Sequence, residues 1–166
     1  MSTMNVLICQ QPKELVWKQR EIPIPGDNEA LIKIKSVGIC GTDIHAWGGN
    51  QPFFSYPRVL GHEICGEIVG LGKNIADLKN GQQVAVIPYV ACQQCPACKS
   101  GRTNCCEKIS VIGVHQDGGV SEYLSVPVAN ILPADGLDPQ AAALIEPFAI
   151  SAHAVRRAAI APGEQV

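Results

Sequence analysis

Four closely spaced cysteines, Cys92-x2-Cys95-x2-Cys98-x7-Cys106, constrain this chain more than any other feature. Thiolate is a soft ligand with Zn–S near ~2.3 Å, and four of them close a tetrahedral shell on one zinc ion. The lobe that carries them, residues 88–110, is interrupted by Pro88, Pro96 and Gly101 and has no usable periodicity. Such a lobe buries no core of its own, so a metal is expected to organise it. Upstream stands a different donor pair in Gly61-His62-Glu63. A mixed set of thiolate, imidazole and carboxylate that leaves one position open is what catalysis needs. The expectation is two metal sites with two separate jobs.

The rest of the composition narrows the field. With 166 residues, 46% apolar and 17% charged, the chain has room for one domain with a real core, and wholesale disorder is excluded. The net charge is −2, with acids and bases interspersed, which leaves no electrostatic footprint for nucleic acid or an anionic membrane. Met1-Ser2-Thr3-Met4-Asn5 lacks the regions of a signal peptide, and no apolar run approaches the ~20 residues of a membrane span. A cytoplasmic protein is expected, and its eight cysteines then read as metal ligands before disulfides. Cys9 and Cys65, in apolar strand-like surroundings, read as small buried hydrophobes. Cys105, beside Cys106, is either a spare thiol or the true fourth ligand.

Along the chain, short strands alternate with turns. In Glu29–Val37, Leu31, Lys33 and Lys35 share one face while Ala30, Ile32, Ile34 and Ser36 share the other. Val6–Cys9, Glu67–Val69, Gln83–Ile87, Glu122–Val126 and Asn130–Leu132 are further strand candidates. Pro25-Gly26, Gly48-Gly49, Asn80-Gly81 and Asp117-Gly118-Gly119 read as the turns between them. Many short strands predict a closed or partly open β-barrel. Asp138-Pro139 reads as a helix N-cap followed by proline, Glu146-Pro147 repeats the device, and Phe148–Ile160 reads as a helix ending before Pro162-Gly163. Gly70-Leu71-Gly72 lacks the third glycine of a dinucleotide loop, Ile75 standing in its place.

Gly61-His62-Glu63-x2-Gly66-x5-Gly72-x2-Ile75, Cys40-Gly41-Thr42-Asp43-x-His45 and the four-cysteine lobe together resemble the zinc-dependent medium-chain dehydrogenase/reductase family, over essentially the whole chain. The resemblance implies a mainly β (α+β) fold, a GroES-like partly open barrel with short helices and a zinc-binding lobe, spanning 1–166. It implies two zinc ions per chain, one structural at Cys92, Cys95, Cys98 and Cys106 and one catalytic. Cys40 and His62 would hold the catalytic ion. Glu63 would ligate it directly or exchange with Glu146 or water. Glu146, in Ile145-Glu146-Pro147, matches the polyol branch, whose third ligand is glutamate. Helix capping is the competing role for Glu146, and indirect support of the ligands that for Glu63.

Asp43 would accept the free imidazole N–H of His62 and fix its orientation. Thr42 and His45 resemble the family's proton relay, the hydroxyl taking a proton from the substrate alcohol and the histidine passing it towards solvent. Trp47 and Arg58 are candidates for lining a substrate pocket, whereas His115 and His153 read as ordinary structural histidines. Val120 stands where the family usually has an aromatic, which puts the packing at that strand start in question. The activity implied is NAD(P)-linked oxidation of a secondary alcohol of a polyol or sugar acid, a hexonate being the leading substrate. In relatives, a segment like Pro162-Gly163-Glu164-Gln165-Val166 leads into the first strand of the dinucleotide domain, through which family members commonly assemble as homo-oligomers. That domain is missing after 166, so the polypeptide alone is expected not to transfer hydride. The alternative is a truncated, catalytically inactive zinc-binding fragment.

Overall fold

The computed structural model describes residues 2–52, 54–161 and 163–165. Three antiparallel sheets carry the fold. The first is a hairpin of β1 (Thr3–Gln11) and β2 (Glu14–Glu21), with β4 (Arg58–Val59) on the other side of β1. The second has five strands in the order β10-β6-β5-β3-β9, formed by β3 (Glu29–Gly38), β5 (Glu63–Leu71), β6 (Gln83–Val86), β9 (Tyr123–Pro127) and β10 (Ile131–Pro133). The third pairs β7 (Tyr89–Val90) with β8 (Ser110–Val111) at the base of the thiol lobe.

Residues 120–122 stitch the first two sheets into a partly closed barrel. The amide of Leu7 donates to the carbonyl of Val120 at 3.0 Å, and that of Glu122 to Asn5 at 3.2 Å. The carbonyl of Glu122 accepts from Ile34 at 2.9 Å, so one extended segment satisfies backbone groups of both sheets. Val120 packs among Met4, Val6, Ile8 and Val59 on one side and Cys9, Ala46 and Leu60 on the other. The smaller side chain is therefore accommodated at the seam.

The alternation in β3 holds, with Ala30 and Ile32 fully buried and Lys33 exposed. Their partners in the core are Ile64, Ile68, Val84, Val86, Ile112, Val126 and Ile131. Each isoleucine buried there contributes roughly 1.5–3 kcal/mol of transfer free energy. β5 is covered on both faces. Ile64 and Ile68 point into this core, while Cys65 packs on Ala142 and Ala143 of α3 (Pro139–Ala143). Glu63, two residues before Cys65, lies on the α3 side of the strand. Cys9 and Cys65 are fully buried, and burial pushes both thiols up, as expected of small core residues.

Helices close the ends. α1 (Gly41–Gly48) follows β3, and α2 (Pro96–Lys99) lies inside the thiol lobe. Gly48-Gly49 is thus the end of a helix and not a turn between strands, with Gly49 at φ 82 as the left-handed cap. Asp138 caps α3 by accepting from the amides of Gln140 and Ala141. Glu146 does not repeat the device. Leu144 keeps helical dihedrals, so the next helix, α4 (Ile145–Ala158), begins one residue before Glu146. Pro147 is tolerated in its first turn, where amides lack helical acceptors anyway. Ala159 ends α4 at φ 51, and Pro162, expected to stop it, lies outside the described residues. No described helix is long and apolar enough to cross a membrane.

Gly66 shows how tightly β3 and β5 approach. A Cβ there would lie 2.3 Å from Ile32 Cγ2 and 2.6 Å from the carbonyl oxygen of Lys33, whereas one on Gly41 would meet nothing within 4 Å. Gly66→Ala should destabilise the fold by about 1–3 kcal/mol in urea unfolding, with Gly41→Ala far milder. Equal midpoints for the two variants would contradict this packing.

Candidate metal centres

The thiol lobe converges on one point. Cys92 follows β7, Cys95 caps α2, Cys98 lies within α2, and Cys106 follows a short 3-10 turn at Thr103–Cys105. Their four sulfur atoms all lie within 4.8 Å of one another. Cys92 Sγ and Cys98 Sγ are 3.9 Å apart. That is close to the ~3.8 Å edge of a tetrahedral thiolate shell and nearly twice a disulfide bond length. Cys105 is exposed and stands outside the group, whose fourth thiol is Cys106. Among the described residues, the apolar side chains packed on the thiols are Ala91, Ala97 and Ile109.

Backbone amides prepare the cluster for charge. Cys95 N–H donates to Cys92 Sγ at 3.4 Å, and the amides of Cys92 and Lys108 donate to Cys106 Sγ at 3.3 Å each. Amides of Gln94 and Cys95 bring the Cys92 thiol down to about 6, and those of Cys98 and Glu107 lower Cys95. Burial, then the neighbouring thiols, push Cys98 up to about 12. The donor set suits a soft divalent cation that replaces the protons.

The second cluster is built from two chain segments. Cys40 is the N-cap of α1, directly after β3, while His62 and Glu63 open β5. Their ligating atoms also lie within 4.8 Å of one another. Asp43 joins the segments, one carboxylate oxygen accepting the amide of Cys40 at 2.9 Å and the other the amide of Gly61 at 2.9 Å. Gly61 turns the chain at φ +89, and a Cβ there would meet Val37 at 2.7 Å and Val120 at 2.9 Å. Gly38 leaves the space that Glu63 fills, since its Cβ would fall 2.0 Å from Glu63 Oε2.

The electrostatics of this cluster call for a cation. His62 and Glu63 are each only 6% exposed, and among the described residues no salt bridge neutralises Glu63. A buried carboxylate left unpaired costs far more than one that meets a positive charge. His62 Nδ1 is buried without a hydrogen-bond partner and stands 3.8 Å from Asp43 Oδ1, beyond bonding distance. Asp43 therefore sits beside the imidazole, but its hydrogen bonds go to the backbone.

The remaining candidates fall around this point. Thr42 Oγ1 is 3.8 Å from Cys40 Sγ, and His45, three residues further along α1, is exposed. Glu146 is not among the converging donors. It sits in the first turn of α4, where its carboxylate accepts from the Tyr89 hydroxyl at 2.5 Å. Partial burial, the bond to Glu146 and the negative charges of Glu146, Cys40 and Glu63 hold that hydroxyl well above the ordinary tyrosine range. Sequence reasoning missed Tyr89, since nothing in Pro88-Tyr89-Val90 marks it as more than the start of the lobe.

Two cavities adjoin these residues. One of about 400 Å³ is lined by Tyr89, Glu146 and His153 with Val86, Leu132 and Ile150. Trp47 lines another of about 360 Å³, apolar apart from Asp43, with Leu7, Leu15, Ile39 and Ile44. Arg58 instead faces Asp117 at 3.7 Å and Ser55 at 3.0 Å. His115 Nδ1 accepts the amide of Val111 at 3.0 Å, a local structural bond.

Protons and metal compete for the lobe thiols. Cys98, at about 12, must lose its proton at neutral pH, and Cys92 takes one up as pH falls through about 6. Zinc affinity measured against a chelator should therefore fall with pH and fall more steeply below about 6. A flat profile between about pH 5 and 8 would contradict thiolate ligation. Cys98→Ser should weaken zinc retention and expose residues 88–110 to proteolysis, while metal uptake at Cys40, His62 and Glu63 persists.

A family model for the alcohol dehydrogenase GroES-like domain matches residues 26–136. The chain is 99% identical over 166 residues to L-galactonate-5-dehydrogenase of Escherichia coli (strain K12), covering all of this chain and 49% of that protein. It is 44% identical to an uncharacterized zinc-type alcohol dehydrogenase-like protein of Haemophilus influenzae, covering 98% of this chain and 48% of that protein. Among solved structures, the E. coli CFT073 alcohol dehydrogenase (rspB) complexed with cofactor NADH superposes with a TM-score of 0.87 at 39% identity, over 95% of this chain and 46% of that one. The chain thus spans about half the length of the curated relatives it matches. With the barrel, the thiol lobe and the Cys40–His62–Glu63 cluster arranged as described, the chain belongs to the alcohol dehydrogenase GroES-like domain family.

Proposed function

We propose that this chain is the metal-holding catalytic portion of a zinc-dependent, NAD(P)-linked dehydrogenase that oxidises a secondary alcohol of a polyol or sugar acid to a ketone. L-galactonate is the leading substrate, through the 99% identity to an enzyme named for that reaction. The observation that carries the reading is the convergence of Cys40, His62 and Glu63 on one buried point. Residues 1–166 form one catalytic unit, with Cys92, Cys95, Cys98 and Cys106 holding a structural zinc in the lobe at about 88–110.

Zinc held by Cys40, His62 and Glu63 would supply Lewis acidity, lowering the pKa of a substrate hydroxyl and polarising a carbonyl in the reverse direction. The chain's own residues set up the proton path. Thr42, beside Cys40, would accept the substrate proton on its hydroxyl while giving up its own hydroxyl proton, and His45, exposed on the same helix, would take up that proton and release it to solvent. Asp43 keeps Cys40 and His62 at their separation through the two backbone amides it holds. Tyr89, Glu146 and His153 give the neighbouring cavity hydrogen-bonding groups suited to a polyhydroxylated substrate. A nicotinamide cofactor would supply the hydride acceptor for this reaction.

Metal analysis of the purified chain should find about two zinc per chain. Cys40→Ser should remove one of them and leave the lobe zinc in place. Unchanged content in Cys40→Ser would overturn the catalytic assignment. With cobalt in the second site, L-galactonate should shift the visible d–d bands saturably, and a simple aliphatic alcohol should do so far more weakly. Equal responses to the two would remove the support for a sugar-acid substrate.

A further inference from the structure

Two cavities share one wall. Ile87 and Tyr89 line the cavity of about 400 Å³ beside Glu146, and they also line a second one of about 430 Å³. The second opens between the end of β6 and the thiol lobe, with Thr103, Asn104, Ile109 and Val111 completing its lining. Both volumes fall in the ~300–1,000 Å³ of small-molecule sites. The shared wall is held from behind. Asn130 is buried, and its side-chain amide donates to the carbonyls of Ile87 at 2.8 Å and Tyr89 at 3.0 Å. Tyr89 also pairs with Val111 across β7 and β8, which fixes it against the lobe side of the second cavity. The first cavity adjoins the other metal cluster through β6, since Val86 lines it and pairs with Ile64, the residue after Glu63.

The second cavity is apolar within and polar at its rim. Ile87, Ile109 and Val111 are half-buried, whereas Tyr89, Thr103 and Asn104 are exposed. Among the described residues, the Asn104 side chain makes one hydrogen bond, a long one of 3.5 Å from Nδ2 to Cys105 Sγ. Its oxygen and second N–H are left for a ligand. An amide and a hydroxyl each donate and accept, which is what a chain of adjacent hydroxyls asks of its host. The C–H surface of such a chain suits the aliphatic floor and the tyrosine ring. Thr103 and Asn104 owe their place to the lobe. They lie between Cys98 and Cys106 in the 3-10 turn Thr103–Cys105, closed by the amide of Cys106 on the Thr103 carbonyl at 3.1 Å. A metal on the four thiols would therefore fix these two side chains as well.

We propose that the thiol lobe carries a substrate subsite, in which Thr103 and Asn104 bind the hydroxyls of a sugar-acid chain lying across Tyr89. The choice of ligand rests on the dehydrogenase function proposed above. The lobe then does two jobs, its sulfur atoms holding a metal and its turn reading the length of the substrate. On this arrangement a hexonate spans both cavities, and a three-carbon hydroxy acid occupies only the first.

The test uses the chain with zinc in the thiol site and cobalt in the second, titrated with L-galactonate and with glycerate. Asn104→Ala and Thr103→Val are surface changes that leave every thiol and the Cys40–His62–Glu63 cluster in place. Together they should weaken L-galactonate binding about three- to tenfold, the loss expected for one or two hydrogen bonds, with glycerate affinity unchanged. Unchanged L-galactonate affinity overturns the subsite, and so does an equal loss for both acids. A second measurement separates this subsite from the catalytic reading. In the wild-type chain with zinc in both sites, L-galactonate should shift the NMR signals of the Asn104 side-chain amide, and glycerate should not. If those signals move while the cobalt bands do not respond, the subsite stands and the catalytic assignment fails. If the signals stay still, the subsite fails whatever the cobalt bands show.

Discussion

The two backbone hydrogen bonds accepted by Asp43 are what the Cys40–His62–Glu63 cluster depends on. One runs to Cys40 at the end of β3, the other to Gly61 at the entry of β5, and these segments hold the thiol and the imidazole. Charge-assisted bonds of this kind are about twice as strong as neutral ones. The carboxylate is 7% exposed, so water competes little for either donor. Around that staple, glycine makes the geometry sterically possible. Gly61 turns the chain at a positive φ against Val37 and Val120, and Gly38 yields its Cβ volume to the Glu63 carboxylate. The ligand set is a consequence of backbone placement, with side-chain choice added on top.

The two donor clusters differ in what holds them in place. The four thiols are held mostly by their own loop, with amides pointing at sulfur and little apolar packing, an arrangement that suits a metal-organised lobe. Cys40, His62 and Glu63 are held instead by the barrel. β5 is packed on both faces, by the isoleucine core and by α3, so the strand that presents Glu63 has little freedom to move. A site meant to keep an open position needs such external rigidity, because its ligands alone do not close the shell.

Much of this was legible in the chain because it rests on spacing and period. The x2-x2-x7 cysteine run, the alternation of Ala30 and Ile32 with charged neighbours, and the Asp138 cap each have a local cause and appear as expected. What escaped has non-local causes. β2 went unseen because its side chains lie mostly at the surface and leave no apolar face to detect. The start of α4 was misplaced by reading Glu146-Pro147 as a cap, when the helix runs on from α3 through Leu144. Glu146 itself was paired with Cys40 and His62 by resemblance, and its bond to Tyr89 joins residues 57 apart in sequence, which no local pattern reveals.

The most direct test of these assignments is an anomalous difference map, recorded at the zinc absorption edge from crystals of the zinc-loaded chain. It should show two peaks, one surrounded by the sulfur atoms of Cys92, Cys95, Cys98 and Cys106. The other should be bound by Cys40 Sγ, a His62 ring nitrogen and a Glu63 carboxylate oxygen. A single peak in the thiol lobe, or a second peak away from Cys40 and His62, would contradict the placement of the catalytic metal.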